Sequence, residues 1–188
     1  DGTGEVSVTG FYLRANDVFL FIFVSFTNEN FDTRRVGLEC RVSAQPLKGR
    51  LRTTAVYTLV DGEFDDGAFH GNKIPGTPEH TLHTSVGISP FPGAWVDLDW
   101  RLVHDMVRVN DFSNILSGAD NYGVLNLLAQ YELPPHDQRP EVSVYLRIDN
   151  LTNEEYVTYQ SSNSNNLLGA GEAPMPPIGF TGGVTVRF

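Results

Sequence analysis

Apolar and polar residues alternate along most of this chain with period two, the spacing of strands whose two faces meet different surroundings. Val36, Leu38, Cys40, Val42 and Ala44 oppose Gly37, Glu39, Arg41 and Ser43. Leu51, Thr53, Ala55, Tyr57 and Leu59 oppose Arg52, Thr54 and Thr58, with Val56 and Val60 blurring the polar side. Ala94, Val96, Leu98, Trp100 and Leu102 oppose Trp95, Asp97, Asp99 and Arg101. Val142, Val144, Leu146 and Ile148 oppose Ser143, Tyr145, Arg147 and Asp149. The chain closes on Phe180, Gly182, Val184, Val186 and Phe188 against Thr181, Gly183, Thr185 and Arg187. With weaker runs at 81–89 and 122–133 and a long one at 5–24, the pattern predicts an all-β chain of about eight strands. Many approach the roughly 9–11 residues that cross a bilayer when tilted.

The connections are of two kinds. Gln45-Pro-Leu-Lys-Gly49, Pro90-Phe-Pro-Gly93 and 133–140 are short and rich in Pro or Gly, whereas 25–34, 61–78, 103–121 and 150–177 are longer and polar. They alternate strictly, so an antiparallel sheet gathers the short ones at one end. Charge also sorts by face. Glu39, Arg41, Arg52, Asp97, Asp99, Arg101, Arg147, Asp149 and Arg187 all oppose the apolar positions. Two architectures satisfy this. In an outer-membrane barrel those nine residues line a wet lumen, and Tyr12, Tyr57, Trp100 and Phe188 contribute to aromatic girdles. In a soluble sandwich the apolar faces pack together and the charges meet water. Alternation alone does not separate them. The alternating short and long connections, with an aromatic-terminated final strand, favour the barrel, an antiparallel transmembrane segment with short periplasmic turns and long extracellular loops.

Composition narrows the classes. The 188 residues suit one domain, and 18 Gly with 12 Phe and 7 Tyr suit a turn-rich β protein. A net charge of −10 disfavours nucleic acid as a partner, because phosphate binding needs clustered Lys and Arg. The single Cys40 permits no internal disulfide and no cysteine metal site. The longest apolar run, Val18-Phe-Leu-Phe-Ile-Phe-Val24, is far short of the roughly 20 residues of a membrane helix. Without an initiator Met or a leader pattern, Asp1 is expected to be a processed or excised end.

No catalytic constellation emerges, and no cofactor is implied. Asp61-Gly-Glu63-Phe-Asp65-Asp66-Gly67 imitates a calcium loop, but its Gly is displaced and Asn72 stands where the bidentate Glu belongs. It reads as a solvated acidic loop. His80 and His83, three apart on a strand, point to opposite faces and cannot share a metal. His70, His104 and His136 are scattered over loops and a turn. No Gly-x-Ser-x-Gly elbow presents a nucleophile. Asn150-Leu-Thr152 fits a glycosylation acceptor only by coincidence, and the polar run 161–166 reads as a surface loop.

An ordered string of local motifs resembles the C-terminal barrel region of the TonB-dependent outer-membrane receptors. Arg35-Val-Gly37-Leu-Glu39, within 31–44, is similar to the family's strand after an extracellular loop, and Ala55-Val-Tyr57-Thr58, within 51–61, to the next strand. Asn72-Lys-Ile-Pro75-Gly76-Thr-Pro78-Glu-His80 is similar to the segment that leads back into the barrel. Arg147-Ile-Asp149-Asn150-Leu151-Thr-Asn153-Glu-Glu-Tyr156, within 144–156, resembles the penultimate strand and its exit, and 182–188 the closing strand. The resemblance covers nearly all of the chain.

The resemblance implies that 1–188 is about the last third of a receptor barrel, with the plug and the N-terminal strands outside it. It implies a place in the bacterial outer membrane, both chain ends periplasmic, and lipid around the barrel. It also implies energised uptake of a scarce small molecule or metal chelate, such as a ferric siderophore, cobalamin or a glycan, coupled to the TonB complex through the plug. Ligand contacts are then expected on the long loops, at Phe64, Phe69, His70, Phe112 and Tyr159. An open sheet cannot remain in lipid, because each unpaired backbone group at its edges costs several kcal/mol. The missing strands come from the same chain or another, or these eight close on themselves. A structural subunit of a split barrel and a small stand-alone eight-stranded barrel are therefore the alternatives to a receptor wall.

Overall fold

The computed structural model describes residues 3–22, 27–134, 140–160 and 171–187. Its strands are β1 (Thr3–Ile22), β2 (Thr27–Gln45), β3 (Leu51–Phe64), β4 (Pro78–Ile88), β5 (Ala94–Met106), β6 (Tyr122–Glu132), β7 (Glu141–Asp149), β8 (Val157–Gln160), β9 (Glu172–Pro174) and β10 (Gly179–Arg187). Eight form one sheet in the order β1-β2-β3-β4-β5-β6-β7-β10, each antiparallel to its neighbour, while β8 and β9 form a separate hairpin. The sheet is open. Among the described residues β1 pairs with β2 and β10 with β7, and the two outer edges do not meet. Self-closure into a small barrel is not what these strands do.

Several boundaries depart from the pattern: β3 runs on to Phe64 and β5 to Met106, into the connections expected at 61–78 and 103–121. Residues 27–34, expected as a polar connection, are strand, because β1 and β2 stay paired from Thr3↔Gln45 to Ile22↔Thr27 across one bulge at Asp17. Polar Thr, Asn and Glu there satisfy their backbones in a ladder instead of in water. The β8–β9 hairpin lay hidden in the long 150–177 connection, since strands this short, one of them ending in a Pro, carry no readable alternation. Phe188, His136 and the run 161–166 lie outside the described residues.

Register decides which residues share a face, because directly paired residues lie on the same side. One row runs Val8↔Cys40↔Tyr57↔Leu82↔Leu102, and another Val86↔Leu98↔Leu127↔Ile148↔Phe180. These rows form a continuous apolar band with little cover; Val6, Val8, Phe180 and Val184 are each more than 60% exposed. Along β3 the band from Leu51 to Leu59 rises about 26 Å at ~3.3 Å per residue. A tilt of about 40° makes that roughly 20 Å of height, close to the lipid-facing band of a barrel.

Both margins of the band are marked. At the long-loop end Arg14↔Arg34↔Glu63 share one row, with Arg34 Nη2 2.6 Å from Glu63 Oε2 and Arg14 3.0 Å from Asp65. Just below, the Tyr57 hydroxyl lies 2.7 Å from His80 Nδ1, and His80 faces His104 across the ladder. At the short-turn end Phe91 meets the Tyr131 ring edge-on at 5.9 Å.

The opposite face is polar, and small residues let its side chains lie flat. Arg52 reaches across β4 over Gly87 to both Asp97 oxygens (2.9 and 3.0 Å), its guanidinium 4.2 Å from the Trp95 ring. A Cβ at Gly87 would sit 2.2 Å from Asp97 Oδ1, so a larger residue there would displace the bridge from this position. Tyr145 lies across Gly183 in the same way.

Candidate functional site

At the long-loop end the polar face changes character. Alternation carries Phe31 on β2 and Phe64 on β3 to the same side as Glu39 and Arg52, and both are buried there. They pack with Ile22 and Leu20 of β1, with Phe69 and Ile74 of the 65–77 loop, and with Phe112 of the 107–121 loop. Phe31–Phe64, Phe31–Phe69 and Phe69–Phe112 ring centroids lie 5.4–5.5 Å apart. Such pairs add stabilisation of about 0.5–1.5 kcal/mol each beyond the area they bury.

Polar contacts join the loops into one layer. Asp66 Oδ1 accepts the Asp32 N–H at 2.8 Å, tying the 65–77 loop to β2. Asn72 Nδ2 donates to Phe112 O (2.8 Å), and Asn114 accepts from Lys73 N (2.6 Å) while donating to Lys73 O, linking two loops. Asp111 in turn accepts from the backbone of Ile115 and Leu116. Gln160 on β8 donates to Asp120 Oδ2 (2.7 Å) and accepts from Asp120 N, drawing the hairpin in. Lys73, hydrogen-bonded to Glu79 and Asp61, is held more firmly protonated than an ordinary lysine.

Two clefts open in this layer. One of about 510 Å³ lies between the top of β3 and the loops, lined by Val60, Gly62, Ile74, Asp105 and Asn114 among others. The second, about 390 Å³, lies beside the β8–β9 hairpin, lined by Asp120, Glu154, Glu155 and Glu172 around Tyr122 and Tyr156. The two rings are 4.9 Å apart, and burial pushes the Tyr156 phenol up, so it stays neutral.

Of the expected loop residues, three come together and two stand apart. Phe64, Phe69 and Phe112 share the aromatic cluster. Phe64 is 1% exposed, so it offers no ligand surface in this arrangement, whereas Phe69 and Phe112 are half-buried at the cluster's rim. His70 is exposed beside Phe69, and Tyr159 is exposed on β8. Glu39, Arg41, Arg52, Asp97, Asp99, Arg101, Arg147, Asp149 and Arg187 occupy the face opposite the apolar band, with Arg52 on Asp97, His83 on Asp99 and Arg147 on Asp149 (2.7 Å). His80 and His83 fall on opposite faces, as their spacing required.

The acidic stretch 61–67 has its charges satisfied piecemeal. Asp61 meets Lys73, Glu63 meets Arg34 and Asp65 meets Arg14, and no group of metal-ligating residues forms among the described residues.

Asn150 has a structural role that the sequence reading did not assign to it. At φ 54° it occupies a left-handed turn, is 2% exposed, accepts Glu154 N (2.8 Å) and donates to Glu154 O and Pro176 O. Asn126 Oδ1 accepts its backbone N–H, and Asn153 accepts from Ile178 N, so the turn locks β6, β7 and the approach to β10 together. An Asn at the end of a strand pattern, where left-handed backbone is common, was the readable signal. Asn150→Ala is expected to lower stability by about 2–3 kcal/mol through lost buried hydrogen bonds and backbone strain. Asn150→Gly keeps the backbone and should recover part of it, as urea midpoints would show.

The family model described as TonB dependent receptor-like, beta-barrel matches residues 1–151. No curated protein matches the sequence. Among solved structures, the chain is similar to the ferric citrate transporter FecA in its unliganded form (19% identity, TM-score 0.77, 100% of this chain and 29% of that one). It is also similar to the ferric yersiniabactin uptake receptor FyuA from Yersinia pestis (21%, 0.73, 98% and 27%). A third is the closed form of the ferric-catecholate import receptor Fiu from E. coli K12 (17%, 0.72, 97% and 25%). At these identities the likeness establishes the fold, and the chain spans little more than a quarter of those structures' length. An open antiparallel sheet with an apolar band, a charged reverse face and a family match over most of its length lead to one assignment: the chain belongs to the TonB-dependent receptor β-barrel family, a family of the outer membrane.

Proposed function

We propose that this chain is the C-terminal wall of an outer-membrane receptor that takes up a scarce metal chelate of the siderophore type. The observation that carries the reading is the cross-linked loop layer, which stands over the charged face at the long-loop end. In this reading the apolar band meets lipid, and the nine charged residues from Glu39 to Arg187 line the lumen. The short turns and both chain ends face the periplasm. The remaining strands and a plug lie outside residues 1–188, and energy reaches the plug from the TonB complex. The solved relatives, described as ferric citrate, yersiniabactin and catecholate receptors, support a ferric chelate as the substrate class.

Ligand then meets the exposed loop groups: His70, Tyr159 and the rims of Phe69 and Phe112, with Phe64 supporting them from below. In the full-length receptor, His70→Ala with Phe69→Ala should weaken ferric-chelate binding about tenfold, or about 1.4 kcal/mol. Fluorescence titration reads this directly, and unchanged affinity removes both residues from the site. The open edges of β1 and β10 also fit a second reading, a subunit of a split barrel. Co-purification of the remaining strands on a separate chain would select it.

A further inference from the structure

The short-turn end of the apolar face carries a groove that the uptake function does not use. Its volume is about 520 Å³, and its lining is Leu47, Lys48, Arg50, Ile88, Ser89 and Pro90. Ile88 lies on the apolar face, paired with Leu51 and Val96, so the groove continues the band. Leu47 is 65% exposed, Ile88 46% and the neighbouring Phe91 55%. Leu47 and Lys48 both hold left-handed backbone (φ 56° and 53°), a conformation non-glycine residues avoid, and Gly49 follows at 81°. This sustained turn brings both Leu47 and Lys48 into the groove's lining.

The charge of the groove runs against that of the chain. In a protein of net charge −10 its lining carries two cations and, among the described residues, no carboxylate. Arg50 is held in place, donating from Nε to Ser89 O (3.2 Å) and from Nη2 to Pro90 O (2.6 Å). Arg50 and Lys48 share the groove's lining with Leu47 and Ile88 at the margin of the band. A held arginine and a neighbouring lysine beside exposed aliphatic surface match a phosphate diester joined to acyl chains.

We propose that this groove binds an anionic glycerophospholipid, phosphate between Lys48 and Arg50 and acyl chain against Leu47 and Ile88. The inference rests on the apolar face meeting lipid. The test uses the full-length receptor reconstituted in nanodiscs of phosphatidylcholine with phosphatidylglycerol, released into detergent and weighed by native mass spectrometry. The wild type should retain phosphatidylglycerol several-fold above its share of the bilayer. Lys48→Glu should abolish that enrichment, and Lys48→Arg should keep it. Heat-modifiable migration on gels confirms in each case that the barrel is folded. A folded, inserted receptor with no headgroup preference, or one whose preference survives Lys48→Glu, overturns the lipid site alone. A receptor that never enters the bilayer overturns the membrane reading as well.

Discussion

Replacing Phe64 with Ala should loosen the loop layer by about 3–5 kcal/mol, the usual cost of emptying a sealed phenylalanine site. Phe64 touches the cluster from β3, with Phe31, Phe69 and Phe112 around it. Phe31 and Phe64 are rooted in the sheet, whereas Phe69 and Phe112 sit on loops held by a few hydrogen bonds. The penalty therefore falls on local opening, not on the eight-stranded sheet. In hydrogen exchange of the full-length receptor, amides of 65–77 and 107–121 should exchange at least a hundredfold faster, since each 1.4 kcal/mol is a factor of ten. Sheet amides in β5 and β6 should hardly change. Equal protection of the loops before and after the substitution would mean that the aromatic cluster does not organise them.

An arginine placed on the band should be nearly as damaging, for a different reason. Leu98 lies in mid-band, paired with Val86 and Leu127. Leu98→Arg is expected to cost about 2–4 kcal/mol if that surface meets hydrocarbon. Thr54, paired with Ser43 and Ser85 on the other face, should accept Arg at less than about 1 kcal/mol. Urea titrations of the receptor folded into vesicles measure both. In a soluble sandwich the ranking would still hold for Leu98, but the protein would stay folded in buffer without detergent.

The sheet was legible in the chain because a period of two survives wherever two faces meet different media. Leu98 and Asp99, or Val184 and Thr185, announce their faces without any partner. What alternation could not show was which face looks outward, since an inverted sandwich gives the same string. Register added that the apolar residues gather in one largely uncovered band, and the family match supplied the setting. The loop layer was harder to read. Phe64 and Phe69 stood out as aromatics in a polar stretch and suggested contact with ligand, yet Phe64 turned inward because β3 runs on to that residue. The long β1–β2 ladder was missed for the opposite reason. Its outer residues, such as Asn28, Glu29 and Asn30, are polar on both faces, so no alternation betrays the strand. For Asn150 the strand-end position hinted at a left-handed turn. Its hydrogen bonds to Asn126, Glu154 and Pro176 are distant in sequence or made by the turn itself, and no local pattern reports them.

The orientation of the sheet can be measured at two adjacent positions of β4. Val86 belongs to the band and Ser85 to the charged face. Spin labels placed singly at each, in a cysteine-free full-length receptor reconstituted in bilayers, report collisions with oxygen from lipid and with a nickel chelate from water. The Val86 label should meet oxygen and exclude the chelate, while the Ser85 label should be shielded from oxygen. A Val86 label relaxed by the water-borne chelate would contradict it.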